Sequence, residues 1–208
     1  ESAVEGGPVK DFVSTVSTKN CRGGGMGGGQ LGKLLDGKGK VVLFRFKEGS
    51  ASTGQREAGF LEAIKKFPDI QVTLDNRYSG TTAKEARWSA LKMLHKLKEA
   101  DGIFCSTEPS TFGMLSALKR HNLSGSKKVV GFDTSQGLME GLKKGEIQAL
   151  VVQNPKKMGH EAVKALVAKM KGETVPTFID TGAAVITQEN LDIPEIQTLL
   201  AGYFAVFA

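Results

Sequence analysis

Short apolar runs rich in β-branched residues recur along the chain, at residues 12–16, 40–46, 70–74, 102–105, 128–132 and 149–152. Each is nearly continuous in apolar character rather than alternating, which predicts strands covered on both faces. Segments of helical period lie between them. Residues 56–67 place Phe60, Ile64 and Phe67 on one face, and residues 83–98 place Ala90, Leu91, Leu94 and Leu97 together. Residues 111–120 carry Met114, Leu115 and Leu118, and residues 135–144 carry Leu138 and Leu142. Residues 155–171 align Met158, Ala162, Val163, Leu166 and Met170. Gly49, Gly125, Gly145 and Gly172 punctuate the connections, and Asp133-Thr-Ser precedes a helix as a cap should. Strand–helix–strand repetition with short loops predicts an α/β fold, a doubly wound parallel sheet with right-handed crossovers. The carboxyl-terminal region departs from this rhythm. Residues 177–187 read as one extended segment broken at Gly182, and residues 191–200 as a short helix or loop. The apolar, aromatic run 202–208 fits no strand–helix unit.

A chain of 208 residues has room for one large domain or two small ones, and buries a core without disulfides or metals. Hydrophobic residues at 40% and charged residues at 24% are ordinary for a globular protein and too apolar for a disordered one. No apolar run approaches the ~20 residues that span a bilayer. No amino-terminal signal segment is visible, which predicts a cytosolic chain or a mature or truncated form. The net charge of +6 comes from lysines spread singly or in pairs and from six scattered arginines. Neither a basic face nor a recognition helix accompanies them, so a solvated Lys-rich surface is expected and nucleic acid is not an expected partner. Cys21 and Cys105 form no CxxC motif or disulfide framework, and Cys105, ending an apolar run, reads as a buried thiol. His95, His121 and His160 fall in helical segments, none with a second ligand at metal spacing.

In an open α/β sheet, ligands bind beyond the carboxyl ends of the strands. Glu48 and then Arg56 follow the strand that ends at Phe46. Ser106, Thr107 and Glu108 follow Cys105, Asp133 follows Phe132, and Gln153 and Asn154 follow Val152. Parallel strands bring these to one rim, a set of strong donors and acceptors suited to a ligand dense in hydroxyls. Residues at single βα turns also serve as caps, so the convergence carries more than any one of them. No histidine stands at this rim beside a nucleophile, and nothing sets the separation of the carboxylates as a glycosidase needs. Gly23, Gly25 and Gly28 satisfy G-x-G-x-x-G, with Glu48 20 residues beyond Gly28. Six of the seven residues 23–29 are glycine, however, so a match is nearly guaranteed, and the helix after them would run only from Gln30 to about Leu35. NAD binding is thus the weaker alternative.

Four blocks resemble the type I periplasmic sugar-binding proteins, the ribose-binding-protein family. They are Glu48-Gly-Ser-Ala-Ser-Thr-Gly-Gln-Arg56-Glu-Ala-Gly-Phe60, Gly102-Ile-Phe-Cys-Ser-Thr-Glu-Pro-Ser-Thr-Phe-Gly-Met114, Val129-Val-Gly-Phe-Asp133 and Ala149-Leu-Val-Val-Gln153-Asn-Pro-Lys-Lys-Met-Gly159. Their order and spacing match that family, and the resemblance extends to about Asn190. It implies that Arg56 donates to sugar hydroxyls or the ring oxygen, that Asp133 accepts from two hydroxyls, and that Gln153 sits at a hinge and touches the sugar. Thr107 falls where an amide side chain, usually Asn, is common. Glu1-Ser2 resembles the Asp-containing end of a first-lobe strand that also touches the sugar. With Glu48 and Glu108 from the rim, these residues make the expected ligand site.

Residues 20–35 match a helix that in relatives carries fewer glycines, so a weakened helix is expected. The resemblance also implies two lobes joined by three crossing segments. Residues 1–17 would be the end of the amino-terminal lobe and the first crossing, 18–153 the carboxyl-terminal lobe, 154–182 a returning helix and strand of the first lobe, and 183–208 the last crossing and tail. The first lobe's main strands and its stacking aromatics would lie upstream of this sequence.

The implied function is an extracytoplasmic, periplasmic solute-binding protein, not an enzyme and without a cofactor. It would capture a pentose or hexose for an ABC importer and its membrane permease. The alternatives are the effector domain of a LacI-type regulator, which needs an upstream helix-turn-helix, and an NAD-dependent oxidoreductase. The apolar face of residues 155–171 would pack on the first lobe. Alone, it is expected to bury itself on the tail residues 203–207 or on a second copy, and this chain to bind sugar weakly.

Overall fold

Five strands run parallel and a sixth runs against them. The structure is a computed structural model and describes residues 12–204. Its elements are β1 (Thr15–Ser17), α1 (Asn20–Leu34), β2 (Lys38–Arg45), α2 (Ala51–Ile64), β3 (Asp69–Tyr78), α3 (Ala83–Lys92), α4 (Leu94–Glu99) and β4 (Gly102–Cys105). They continue with α5 (Glu108–Arg120), β5 (Lys128–Phe132), α6 (Gln136–Lys143), β6 (Ala149–Gln153), α7 (Pro155–Met170), β7 (Phe178–Asp180), β8 (Ala183–Ile186) and α8 (Pro194–Phe204).

The main sheet has the order β3-β2-β4-β5-β6-β8. Its strands β2 to β6 are parallel, and β8 pairs antiparallel with β6. The parallel expectation therefore fails at one edge. After β6 the chain forms α7 and then β7, which pairs with β1 in a separate two-stranded parallel sheet. It turns at Gly182, whose φ is +76°, straight into β8. With no crossover helix between β7 and β8, the last strand enters the main sheet against its neighbour.

The continuous apolar character of the strands is explained by helices on both faces. Val42, Phe44, Ile103, Val129 and Val152 pack with Ala86 and Ala90 of α3, Met114 and Leu118 of α5 and Leu138 of α6. Val41, Leu43, Phe104, Val130 and Val151 turn the other way, onto Leu31 of α1 and Phe60 and Ile64 of α2. Each fully buried side chain of this kind contributes ~1.5–3 kcal/mol.

The glycine-rich segment is helical throughout, contrary to the short helix that a dinucleotide turn would leave. Gly23 to Gly29 all lie inside α1, so they form no strand-to-helix turn to cradle a pyrophosphate, which rules against dinucleotide binding by this run. Their role is close packing. A Cβ on Gly24 would meet the Arg56 carbonyl oxygen at 1.7 Å, and one on Gly59 the Cys21 carbonyl oxygen at 1.9 Å. Gly27 makes room for the Phe104 ring. Each helical glycine costs ~1 kcal/mol relative to Ala, and the contact of α1 with α2 and the sheet offsets that cost.

Three helix limits differ from the periodicity. α2 begins at Ala51 rather than Arg56. α5 begins at Glu108, where Thr107 and Ser110 form a capping box. The segment 83–98 divides at buried Met93, whose φ of −111° and ψ of 22° interrupt the helix. At the carboxyl end, α8 sets Ile196 and Leu200 into the core. α7 buries only Ala165 fully, while Val163, Leu166, Val167 and Met170 are 63%, 54%, 43% and 80% exposed. Among the described residues no helix is long and apolar enough to cross a membrane.

Candidate functional site

The carboxyl ends of β4, β5 and β6 and the start of α2 meet around one guanidinium. Arg56, on the second turn of α2, is 3% exposed. Its Nε donates to Asn20 Oδ1 at 2.8 Å, and its Nη1 donates to the Ser106 carbonyl at 3.1 Å. Nη1 also faces Asp133 Oδ2 at 3.5 Å. The guanidinium carbon lies 3.9 Å from the centroid of the Phe132 ring. Burying such a charge costs several kcal/mol; hydrogen bonds, a counter-charge and an aromatic face at fixed positions offset it.

Asp133 has a left-handed backbone, with φ +64°, and its N–H donates to the Val151 carbonyl at 2.8 Å. That conformation is uncommon outside glycine, and Asp tolerates it better than most residues. It turns the carboxylate back over the ends of β5 and β6. Gln153 Nε2 donates to Asp133 Oδ1 at 2.7 Å. Gln153 Oε1 is buried with no hydrogen-bond partner among the described residues. Arg56, Asp133 and Gln153 thus form one connected array, and the Asp133 side chain keeps 22% of its surface open to solvent.

The other expected residues are placed differently. Thr107 Oγ1 accepts from the Ser110 N–H at 3.3 Å and so caps α5. Glu108 Oε1 accepts from Ser135 Oγ at 2.8 Å, tying the start of α5 to the start of α6. Glu48 is exposed on the turn after β2, and the structure does not join it to the array. Glu1 lies outside the described residues.

Several members of the array were not singled out in the sequence. Asn20 opens α1 just beyond β1, so the strand-end rule applied to β1 would have reached it. Glu57, 3% exposed, accepts from Arg45 Nη1 at 2.8 Å, the Phe46 N–H at 3.0 Å and Ser106 Oγ at 2.9 Å. It locks the ends of β2 and β4 to α2, and a lone carboxylate beside Arg56 on a helix carried no sequence signal. Tyr203 of α8 also reaches Asp133, its O–H donating to Oδ1 at 3.4 Å. Burial, then the Asp133 charge, push the Tyr203 phenol well above its usual range.

A cleft of about 660 Å³ opens beside the array and shares Asn20 with it; Ser17, Cys21, Ser52, Gln55 and Phe178 also line it. Asp180 fixes one wall, accepting from the Lys19 N–H at 3.1 Å and the Gly182 N–H at 3.0 Å. Burial acts to raise its pKa, but these two N–H groups and the Lys19 charge outweigh it and hold the carboxyl below its usual value. Cys105 is fully buried, and burial pushes its thiol far up, out of reach as a nucleophile near neutral pH. Among the described residues no three His, Cys, Asp or Glu side chains are grouped to hold a metal ion. The array offers fixed donors, a carboxylate acceptor and an unpaired amide oxygen, which suits hydroxyls that both donate and accept.

The periplasmic binding protein domain family matches residues 7–174. The ribose import binding protein of Haemophilus influenzae is 28% identical over 186 residues, 86% of this chain and 60% of that protein. The D-allose-binding periplasmic protein of Escherichia coli is 27% identical over 180 residues, 82% of this chain and 54% of that protein. Among solved structures, a carbohydrate transporter solute binding protein from Agrobacterium radiobacter, in complex with D-arabinose, superposes with a TM-score of 0.85. It is 31% identical and covers 93% of this chain and 68% of its own. The chain thus spans about 50–60% of the length of curated relatives it matches.

Proposed function

Because the chain belongs to the periplasmic binding protein domain family, we propose that it captures a simple sugar, a pentose or hexose, at the Arg56–Asp133–Gln153 array. The observation that carries this reading is the connectivity of that array. Side chains from α2, the end of β5 and the end of β6 meet at Asp133, with the Arg56 guanidinium stacked on the Phe132 ring. Relatives are described as binding ribose, D-allose and D-arabinose, and a set of fixed donors and acceptors suits such ligands. Asp133 would accept from ligand hydroxyls, Arg56 would donate to them, and Gln153 Oε1 would gain the donor it lacks.

In this reading the protein is a binding component of an ABC import system, works outside the cytoplasm and performs no chemistry on its ligand. Residues 18–153 together with β8 and α8, which join the same sheet and core, form one lobe, and β1, α7 and β7 belong to the crossings and the second lobe. Hinge closure between lobes would hold the sugar and present it to the permease.

Ligand-detected NMR with D-ribose, D-allose and D-arabinose at millimolar concentration tests the reading, since it registers binding as weak as about 1 mM, near −4 kcal/mol. At least one sugar should show saturation transfer that Asp133→Ala abolishes. No transfer from any of them, or transfer unchanged in that variant, contradicts it.

A further inference from the structure

The sugar-capture reading leaves one contact of the array unused. α8 sets Ile196 and Leu200 into the core and, on the same helical face, carries Tyr203 to the carboxyl rim. There the phenol O–H donates to Asp133 Oδ1, the oxygen that Gln153 Nε2 also reaches. The other carboxylate oxygen of Asp133 faces Arg56. A phenol presents one hydroxyl on a flat ring, the same donor that a sugar hydroxyl would bring to this carboxylate.

We infer that Tyr203 is a built-in occupant of the Asp133 end of the ligand site, so that a sugar hydroxyl and the Tyr203 O–H compete for Asp133 Oδ1. The inference rests on the sugar-capture reading. Capture then requires the last turn of α8 to leave. The apparent affinity falls by the fraction of molecules in which Tyr203 is undocked. The alternative role, an aromatic wall against which the sugar stacks, makes the opposite prediction for removal of the ring.

Three proteins separate these outcomes: the parent, Tyr203→Ala and Tyr203→Phe, each checked for an unchanged far-ultraviolet dichroism spectrum. NMR titration with D-ribose, D-allose and D-arabinose should show Tyr203→Ala binding roughly tenfold more tightly than the parent, with Tyr203→Phe between them. In the parent, saturating sugar should speed amide hydrogen exchange at residues 200–204. Weaker or equal binding by Tyr203→Ala, or slower exchange at α8 with sugar, overturns the inference. A separate arm uses no sugar: Asp133→Ala should speed exchange at the end of α8, and unchanged exchange there also overturns it. If neither the parent nor Tyr203→Ala binds any sugar, the sugar-capture reading fails and the competition with it. The exchange arm still reports whether Asp133 holds Tyr203.

Discussion

Gly24 of α1 lies against the backbone of Arg56 of α2, with room for a Cβ only 1.7 Å from the Arg56 carbonyl oxygen. The packing of two helices and the placement of the buried guanidinium are therefore one feature. Gly24→Ala should force α1 and α2 apart, cost at least ~1–3 kcal/mol of stability, and shift Arg56 relative to Asp133. Gly29, in the same helix, has nothing within 4 Å of a Cβ. Gly29→Ala should instead stabilise by ~1 kcal/mol. Chemical denaturation of the two variants checks this pair, and equal effects would contradict the packing account.

The exposed face of α7 should drive self-association. The sequence leaves open whether the tail or a second copy covers that face. The structure sends Tyr203 to Asp133 and leaves Val163, Leu166, Val167 and Met170 in solvent. Sedimentation at micromolar concentration should show dimers or larger species. Leu166→Lys together with Met170→Lys should return the protein to monomer. A monomeric parent contradicts the prediction.

Acid should loosen β7 from α1 before neutral-range changes do. The Asp180 carboxyl is held below its unfolded value by the backbone N–H groups of Gly182 and Lys19 and by the Lys19 charge, against the effect of burial. A depressed pKa contributes stability that is present above the unfolded value, about 3.9, and is lost as pH falls through the folded one. Thermal melts of the parent should therefore drop below about pH 4 more steeply than those of Asp180→Asn. Parallel acid limbs would rule out this tether.

The order of strands and helices was legible because fully buried strands read as unbroken apolar runs and the helices between them keep one apolar face. The antiparallel β8 was not, since its direction follows from the separate pairing of β7 with β1, a contact between distant segments. The glycine run misled in one respect. Helix propensity counts each glycine as a loss, whereas the approach of Gly24 and Gly59 to neighbouring backbone is visible only in three dimensions. Within the candidate array, Asp133 and Gln153 were legible from the ends of β5 and β6, and Arg56 from the helix that follows β2. Thr107 and Glu108 occupy equivalent positions but are engaged in helix-start contacts, with Ser110 and Ser135. Tyr203 carried no signal, because its position depends on how α8 packs across the core.

The most direct measurement is amide chemical-shift mapping with D-ribose, D-allose and D-arabinose on isotope-labelled protein and on Arg56→Ala. The account predicts shifts concentrated at Arg56, Ser106, Asp133 and Gln153. It predicts affinity roughly 10- to 200-fold weaker in the variant, since hydrogen bonds to charged groups contribute ~1.5–3 kcal/mol each. Shifts confined to another surface, such as the groove that Met139 and Lys143 of α6 form with Gln197 and Ala201 of α8, or equal affinity in the variant, would contradict it.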